Sequence, residues 1–281
     1  MNDHSRALME TVAALPATVR FAGAHRIPLV WLGGLPIAAI DRVGSAEFML
    51  NVALARRGAG GPPPLITSAN GQVLSMCARD SAVRELFEAA DLIHADGTPL
   101  VFASRLRSDV ALPERVATTD LFHDVAARAP QVDATFYLLG ATDTVIARAA
   151  ENVRRKYPRL TIAGYRSGYF SAAEESEVVA QIDAARPDIL WVGMGAPAEQ
   201  RFCLRNRAKL SNVGLIKTSG GLFDFVSGRN SRAPAWMQAM GLEWAYRVAL
   251  EPRRLAYRYL STNPHAAYLL LTSRNPRGGA F

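Results

Sequence analysis

The sequence predicts an α/β fold, a mostly parallel sheet flanked by helices and followed by a basic helical appendage, and three observations carry that reading. Short apolar runs alternate with stretches whose apolar residues recur at helical spacing, which is how strands joined by crossover helices read. Glycine-bearing turns follow several of the strand-like runs, where a ligand would approach the sheet edge. Beyond residue 229 the strand-like runs stop and the chain becomes rich in Arg, Trp and Tyr.

Residues 1–26 carry little pattern and read as a leader. Residues 29–32 and 35–40 read as strands around the Gly33-Gly34 turn. Residues 45–57 form a helix with Phe48, Met49, Val52 and Ala53 on one face, and 58–64, made of Gly, Ala and Pro, a loop. A strand follows at 65–68, helices at 72–77 and 82–90, a short strand at 92–94 running into Asp96-Gly97, and a helix at 100–107. Residues 135–139 form a strand ending at Gly140, 144–157 a helix, 160–165 a strand, and 174–185 a helix stopped by Pro187. The last αβ units are a strand at 189–192, a helix at 199–209, a strand at 214–218 and a short helix at 222–226. The polar stretch 227–234 marks a boundary, giving a catalytic domain over 27–228 and an appendage over 229–281.

Composition narrows the classes. Hydrophobic residues make up 49% and charged residues 20%, enough apolar material for a packed core and too much for a disordered chain. The most apolar stretches, 27–40 and 266–271, are broken or short against the ~20 residues a spanning helix needs. The N-terminus lacks a basic–apolar–small signal pattern. Cys77 and Cys203 stand far apart and form no zinc or CxxC pattern, so a reduced cytosolic setting is expected.

The chain carries net +7, and residues 229–281 hold eight Arg against Glu243 and Glu251, so this segment supplies 8 − 2 = +6 of it. Arg247, Glu251, Arg254 and Arg258 fall at helical spacing on one face, although Pro252 would kink or restart the helix. A plain solvated basic face explains this pattern. So does a surface that meets anionic lipid headgroups, with Arg for charge and Trp and Tyr for the interface. No nucleic-acid motif accompanies the charge.

Four candidate site stretches lie at strand ends: Thr67-Ser68-Ala69-Asn70-Gly71, His94-Ala95-Asp96-Gly97, Gly193-Met194-Gly195 and Ser219-Gly220-Gly221, with Gly140 opening a fifth. Glycine there lets backbone N–H groups approach an anion, which suits a phosphorylated or nucleotide ligand. Singly, each is as readily a plain turn. Gly193-Met194-Gly195 is only a fragment of a dinucleotide fingerprint, since Ala198 stands at its third glycine, so an oxidoreductase is disfavoured. His94 and His123 stand alone. There is no Asp-x-Asp, His-x-His, HExxH or G-x-S-x-G, so neither a metal ligand set nor a hydrolase elbow is offered. A non-catalytic basic scaffold is the remaining alternative.

In order along the chain these stretches are far more specific. Ile66-Thr67-Ser68-Ala69-Asn70-Gly71, the run from Ala90 through His94-Ala95-Asp96-Gly97 to Val101, Pro113-Glu114-Arg115-Val116-Ala117-Thr118-Thr119-Asp120, Trp191-Val192-Gly193-Met194-Gly195-Ala196-Pro197, Gly221-Leu222-Phe223-Asp224-Phe225, Arg232-Ala233-Pro234 and Glu251-Pro252-Arg253-Arg254-Leu255 resemble the WecG/TagA/CpsF glycosyltransferase family over about residues 30–270. Within that family the likeness leans to the xanthan-type, GumM-like glucosyltransferase branch.

The resemblance implies a Rossmann-like core with a membrane-associating appendage. It implies an inverting enzyme, needing neither metal nor cofactor, that moves a hexose from a UDP-sugar to a polyprenyl-diphosphate-linked saccharide in bacterial exopolysaccharide or cell-surface polysaccharide synthesis. Such an enzyme would lie on the inner face of the cytoplasmic membrane, against anionic lipid, and could form a homo-oligomer. Residue by residue, the resemblance makes Asp96 the general base and Arg115 the active-site arginine. Thr67, Ser68, Asn70, Gly97, Gly140, Gly193, Gly195, Glu199, Gln200 and Asp224 become substrate contacts, and Arg247, Arg253, Arg254 and Arg258 meet membrane or acceptor. Two departures bear on the donor sugar. The family commonly reads Gln-Glu where this chain has Glu199-Gln200, and the His that often follows its Thr-x-Asn is Val73 here. UDP-glucose is the first donor expected, and UDP-N-acetylmannosamine or its uronic acid the second.

Overall fold

The computed structural model describes residues 18–20 and 26–273. Most of the expected leader therefore lies outside the described residues. Part of it is strand: β1 (Thr18–Arg20) pairs antiparallel with β2 (Arg26–Leu32), which pairs with β3 (Leu35–Ala38). The β2–β3 turn is the expected Gly33-Gly34, with φ of 58° and 87°, the double positive φ that a two-residue hairpin turn requires.

The main sheet has six parallel strands: β4 (Leu65–Ala69), β5 (Leu92–Ala95), β6 (Thr135–Gly140), β7 (Thr161–Arg166), β8 (Ile189–Gly193) and β9 (Leu215–Thr218). Their order across the sheet is β5-β4-β9-β8-β6-β7, and every pairing is parallel. Successive side chains alternate between the two faces. Leu138, Trp191 and Leu215 pack toward α1 (Arg42–Ala55), α5 (Thr118–Arg128) and α6 (Asp143–Lys156). Leu139, Leu190 and Ile216 pack toward α7 (Glu175–Ala185) and α8 (Ala198–Asn206). Fully buried Trp191 meets Phe122 of α5 edge to face, ring centroids 4.9 Å apart.

The β2–β3 hairpin shares a third core with α2 (Gly71–Arg79), α3 (Ser81–Glu88) and α4 (Thr98–Arg107). α5 has no counterpart among the predicted elements, although Leu121, Phe122, Val125 and Ala126 give it an apolar face. β6 runs outward to β7 at the sheet edge, whereas β8 runs inward to β9. The crossovers diverge between β6 and β8, so a crevice opens beyond the carboxyl ends of those strands.

After α9 (Leu222–Val226) the appendage forms α10 (Ala235–Ala239), α11 (Glu243–Leu250) and α12 (Pro252–Thr272). Pro252 restarts the helix as expected, so Arg247 and the arginines after Glu251 lie on separate helices. α11 ends at Leu250, Glu251 leaves helical geometry, and Pro252 opens α12, where its missing N–H is harmless. Arg253 is exposed, and the side chains of Arg254 and Arg258 lie outside the described residues. α12 packs along α2: Leu255, Ala266 and Leu270 are buried, and Ser75 Oγ lies 2.9 Å from His265 Nδ1. No helix among the described residues is long and apolar enough to cross a membrane.

Candidate active site

Two cavities of about 540 and 480 Å³ lie at the carboxyl edge of the sheet and share Gly195, Gly220, Gly221, Phe225 and Arg247, forming one cleft. The first lies over the β6–β8 crevice, between Thr142, Tyr169, Asp224 and the start of the appendage. The second is lined by Ser68, Asn70, Asp96, Gly97 and Arg115 on the core side, and by Trp244, Tyr259 and Asn263 on the appendage side.

Asp96 is the hub of the second cavity. Leu92, His94 and Asp96 alternate onto the sheet face that carries α5, so the Asp96 carboxylate meets the start of that helix. Its Oδ2 accepts from the Thr118 backbone N–H at 3.3 Å and from Thr118 Oγ1 at 3.1 Å. A helix N-terminus favours a negative charge there. Thr118 Oγ1 lies 3.2 Å from Ser68 Oγ, which accepts from Lys217 Nζ at 2.8 Å. Lys217 is fully buried on β9 and also donates to the Thr218 carbonyl. Burial lowers its ammonium to about 8, against the opposing pull of Glu199 and Asp96. His94 is fully buried beside it with neither ring nitrogen partnered among the described residues. Burial, then Lys217, pushes this imidazole well below its ordinary range, so it is neutral.

Glu199 occupies the glycine loops. Its Oε2 accepts from the backbone N–H groups of Met194, Gly195 and Gly220 at 3.2, 3.1 and 2.9 Å. The Gly195 amide, expected to face a phosphate, is therefore engaged by the chain's own carboxylate. Burial raises the Glu199 carboxyl, although those three N–H groups and Lys217 oppose it. Gly140 and Gly193 are fixed by packing. A Cβ on Gly140 would sit 2.2 Å from the Gly193 carbonyl oxygen, and one on Gly193 would sit 2.8 Å from the Phe223 ring. Gly193 lines the first cavity; Gly140 lines neither.

Residues 30–279 match the model of the Glycosyl transferase WecG/TagA/CpsF family. The chain belongs to that family. It is also 32% identical over 216 residues to the N-acetylglucosaminyldiphosphoundecaprenol N-acetyl-beta-D-mannosaminyltransferase of Bacillus subtilis (strain 168), covering 76% of this chain and 81% of that protein. The protein is thus a WecG/TagA/CpsF glycosyltransferase.

The fold brings most of the residues singled out by the family likeness into one cleft. Asp96, Arg115, Ser68, Asn70, Gly97, Glu199 and Gln200 line the second cavity, Asp224 lines the first, and Arg247 lines both. Thr67 separates from Ser68 because the pleat sends it to the other face. It is fully buried, 2.8 Å from Thr218 Oγ1, and accepts from Gln200 Nε2 at 3.0 Å, outside the cavity lining. Asn70 caps α2, its Oδ1 accepting from the Val73 N–H. Arg115 is paired with Glu243 of α11.

His123 lies 3.0 Å from the Tyr157 hydroxyl, lines neither cavity, and is lowered to about 4 by burial. Lys217, Thr118 and Glu243 were not singled out by sequence. The signal for Lys217 was a charge inside the apolar strand Leu215-Ile216-Lys217. Among the described residues no group of three His, Cys, Asp or Glu side chains could hold a metal ion.

Proposed function

We propose that this glycosyltransferase moves an N-acetylmannosaminyl group from its UDP donor to a polyprenyl-diphosphate-linked saccharide, with inversion and with Asp96 as general base. The carrying observation is the Asp96 carboxylate, at the cavity floor and the start of α5, with Oδ2 held by Thr118. The acceptor oxygen bonds to the anomeric carbon, the bond from that carbon to the diphosphate oxygen breaks, and the electron pair leaves with UDP. The hydroxyl proton passes to Asp96.

The activity of the Bacillus subtilis relative favours N-acetylmannosamine over the glucose expected first from the family branch. Gln200 supports a polar sugar contact: it lines the second cavity, and its buried amide oxygen has no partner among the described residues. Arg115, Arg229 and Arg247 line the cleft as cations for the departing diphosphate, in a reaction written without a metal or cofactor. The appendage suits an acceptor held at an anionic membrane surface. Tyr257, Leu260, Pro264, Tyr268 and Leu271 recur at helical spacing and are all exposed, on the side of α12 opposite buried Leu255, Ala266 and Leu270.

The test offers UDP-N-acetylmannosamine, its uronic acid, UDP-glucose and UDP-N-acetylglucosamine with a short-chain polyprenyl-diphosphate saccharide and EDTA. UDP release that needs the acceptor and is lost in Asp96→Asn supports the reaction, and the donor consumed names the sugar. Full turnover by Asp96→Asn sinks the assignment of the base.

A further inference from the structure

We infer that Lys217 is a positioning residue for the general base, acting through a directed chain of hydroxyls, Ser68 then Thr118, that ends on Asp96. This rests on the reading of Asp96 given above. Four polar groups from three strand–helix units converge at contact distance: Lys217 Nζ to Ser68 Oγ at 2.8 Å, Ser68 Oγ to Thr118 Oγ1 at 3.2 Å, and Thr118 Oγ1 to Asp96 Oδ2 at 3.1 Å.

The chain has only one sense. A protonated lysine can only donate and an ionised carboxylate can only accept. With Lys217 donating to Ser68, the Ser68 hydroxyl hydrogen is free for Thr118, and the Thr118 hydroxyl hydrogen is directed at Asp96. Both ends thus fix the two rotors between them. Asp96 Oδ2 is bound in place, and Oδ1 is the oxygen left to receive the acceptor proton. Hydrogen bonds linked in series in this way polarise one another.

A lysine is an expensive way to hold a serine. Lys217 is 0% exposed, in a strand whose neighbours Leu215 and Ile216 are also fully buried. An apolar residue would fill the same place without the cost of burying a charge. Lys217 pairs in register beside Ile66, so its side chain shares the sheet face of Ser68 and reaches it diagonally. The other titratable and charged groups around this cavity are His94 on β5, Glu199 on α8, Arg115 ahead of α5, Glu243 and Arg247 on α11, and Tyr259 on α12. His94 is neutral, and Glu199 is bound to three backbone amides. Arg115 and Arg247 are drawn to Glu243. Among the described residues, Lys217 is the cation that reaches Asp96 through hydrogen bonds.

The test is the pH dependence of kcat/KM for UDP release by the full chain, with enzyme concentration corrected for the folded fraction. In Lys217→Met the acid limb should move up by about one pH unit and kcat should fall about tenfold, with donor KM nearly unchanged. Thr118→Val keeps Lys217 and the shape of the helix start, and it should move the limb the same way. Should Lys217→Met fold poorly, the Lys217→Met, Glu199→Gln pair removes both buried charges together and is read in the same manner. A limb that stays in place in folded Lys217→Met or in Thr118→Val overturns the inference. Failure of the underlying reading looks different: there, Asp96→Asn itself retains turnover.

Discussion

The Arg115 guanidinium donates to the Glu243 carboxylate at 2.9 Å, which ties the arginine expected beside the leaving diphosphate to the appendage. Glu243 also accepts from Arg232 at 2.8 Å, and Arg247 approaches to 3.8 Å. Burial raises the Glu243 carboxyl, but Arg232 and Arg115 outweigh it and hold the group below its ordinary range. Arg232 extends the network to Asp120 on α5. One carboxylate thus joins the appendage to the helix whose start holds Asp96. A double-mutant cycle of Arg115→Ala and Glu243→Ala, read by urea denaturation, should give a coupling energy of about 1–3 kcal/mol. Additive effects would show that the contact does not tie the two parts together.

The glycines of the cleft should separate into two classes. Gly193→Ala places a Cβ 2.8 Å from the Phe223 ring and 3.0 Å from the Gly220 carbonyl oxygen, both held by packing. A loss of several kcal/mol, or an insoluble protein, is expected. Gly195 has φ of 79° and open space around its Cα, so Gly195→Ala meets only backbone strain. That substitution should cost about 1–2 kcal/mol. Equal midpoints in urea for the two variants would contradict the distinction.

These two glycines also mark what sequence could and could not show. The alternation of strands and helices was legible because buried parallel strands are continuous apolar runs, as in β8 and β9, and their flanking helices keep a 3.6-residue period. The Gly33-Gly34 turn was legible from its two glycines alone. α5 was not, because its start, Thr118-Thr119-Asp120, is polar and follows the irregular Pro113–Val116 stretch. Within the site, Asp96 and Arg115 were legible only through the order of motifs over the whole chain. Thr67 and Ser68 were indistinguishable until the pleat placed one inside and the other on the cavity. Glu199 read as a sugar contact only through the family likeness, whereas its carboxylate is taken up by the amides of Met194, Gly195 and Gly220.

Asp188 joins the loop before β8 to two distant elements. Its Oδ1 accepts from Arg57 Nε at 2.6 Å, and its Oδ2 from Arg57 Nη2 and the Thr135 N–H, each at 2.8 Å. Burial raises this carboxyl, but the Arg57 and Thr135 bonds outweigh it and hold it below the ordinary range. A depressed folded-state value means the stabilisation is complete above the unfolded value, about pH 4, and is lost as pH falls through the folded one. Asp188→Asn should therefore cost about 1–3 kcal/mol at pH 7 and progressively less toward pH 3. A wild-type-to-variant difference that is flat across that range would refute the assignment.

The two-sided apolar character of α12 gives the last prediction. Its buried side already satisfies the core, so Tyr257, Leu260, Tyr268 and Leu271, between 60% and 81% exposed, have no packing role among the described residues. Trp236 of α10, 61% exposed, and Arg253 at the start of α12 add an interfacial aromatic and a charge. Anionic vesicles should therefore sediment the protein, and about 0.5 M salt should weaken the binding without abolishing it, since the apolar part is not screened. Tyr257→Ser with Leu260→Ser should reduce the salt-resistant part. Arg253→Glu should reduce the salt-sensitive part, and UDP release from a water-soluble acceptor analogue should be unchanged in the Tyr257 and Leu260 variant. Binding that is fully salt-sensitive and indifferent to the Tyr257 and Leu260 changes would mean that the exposed stripe does not enter the lipid interface.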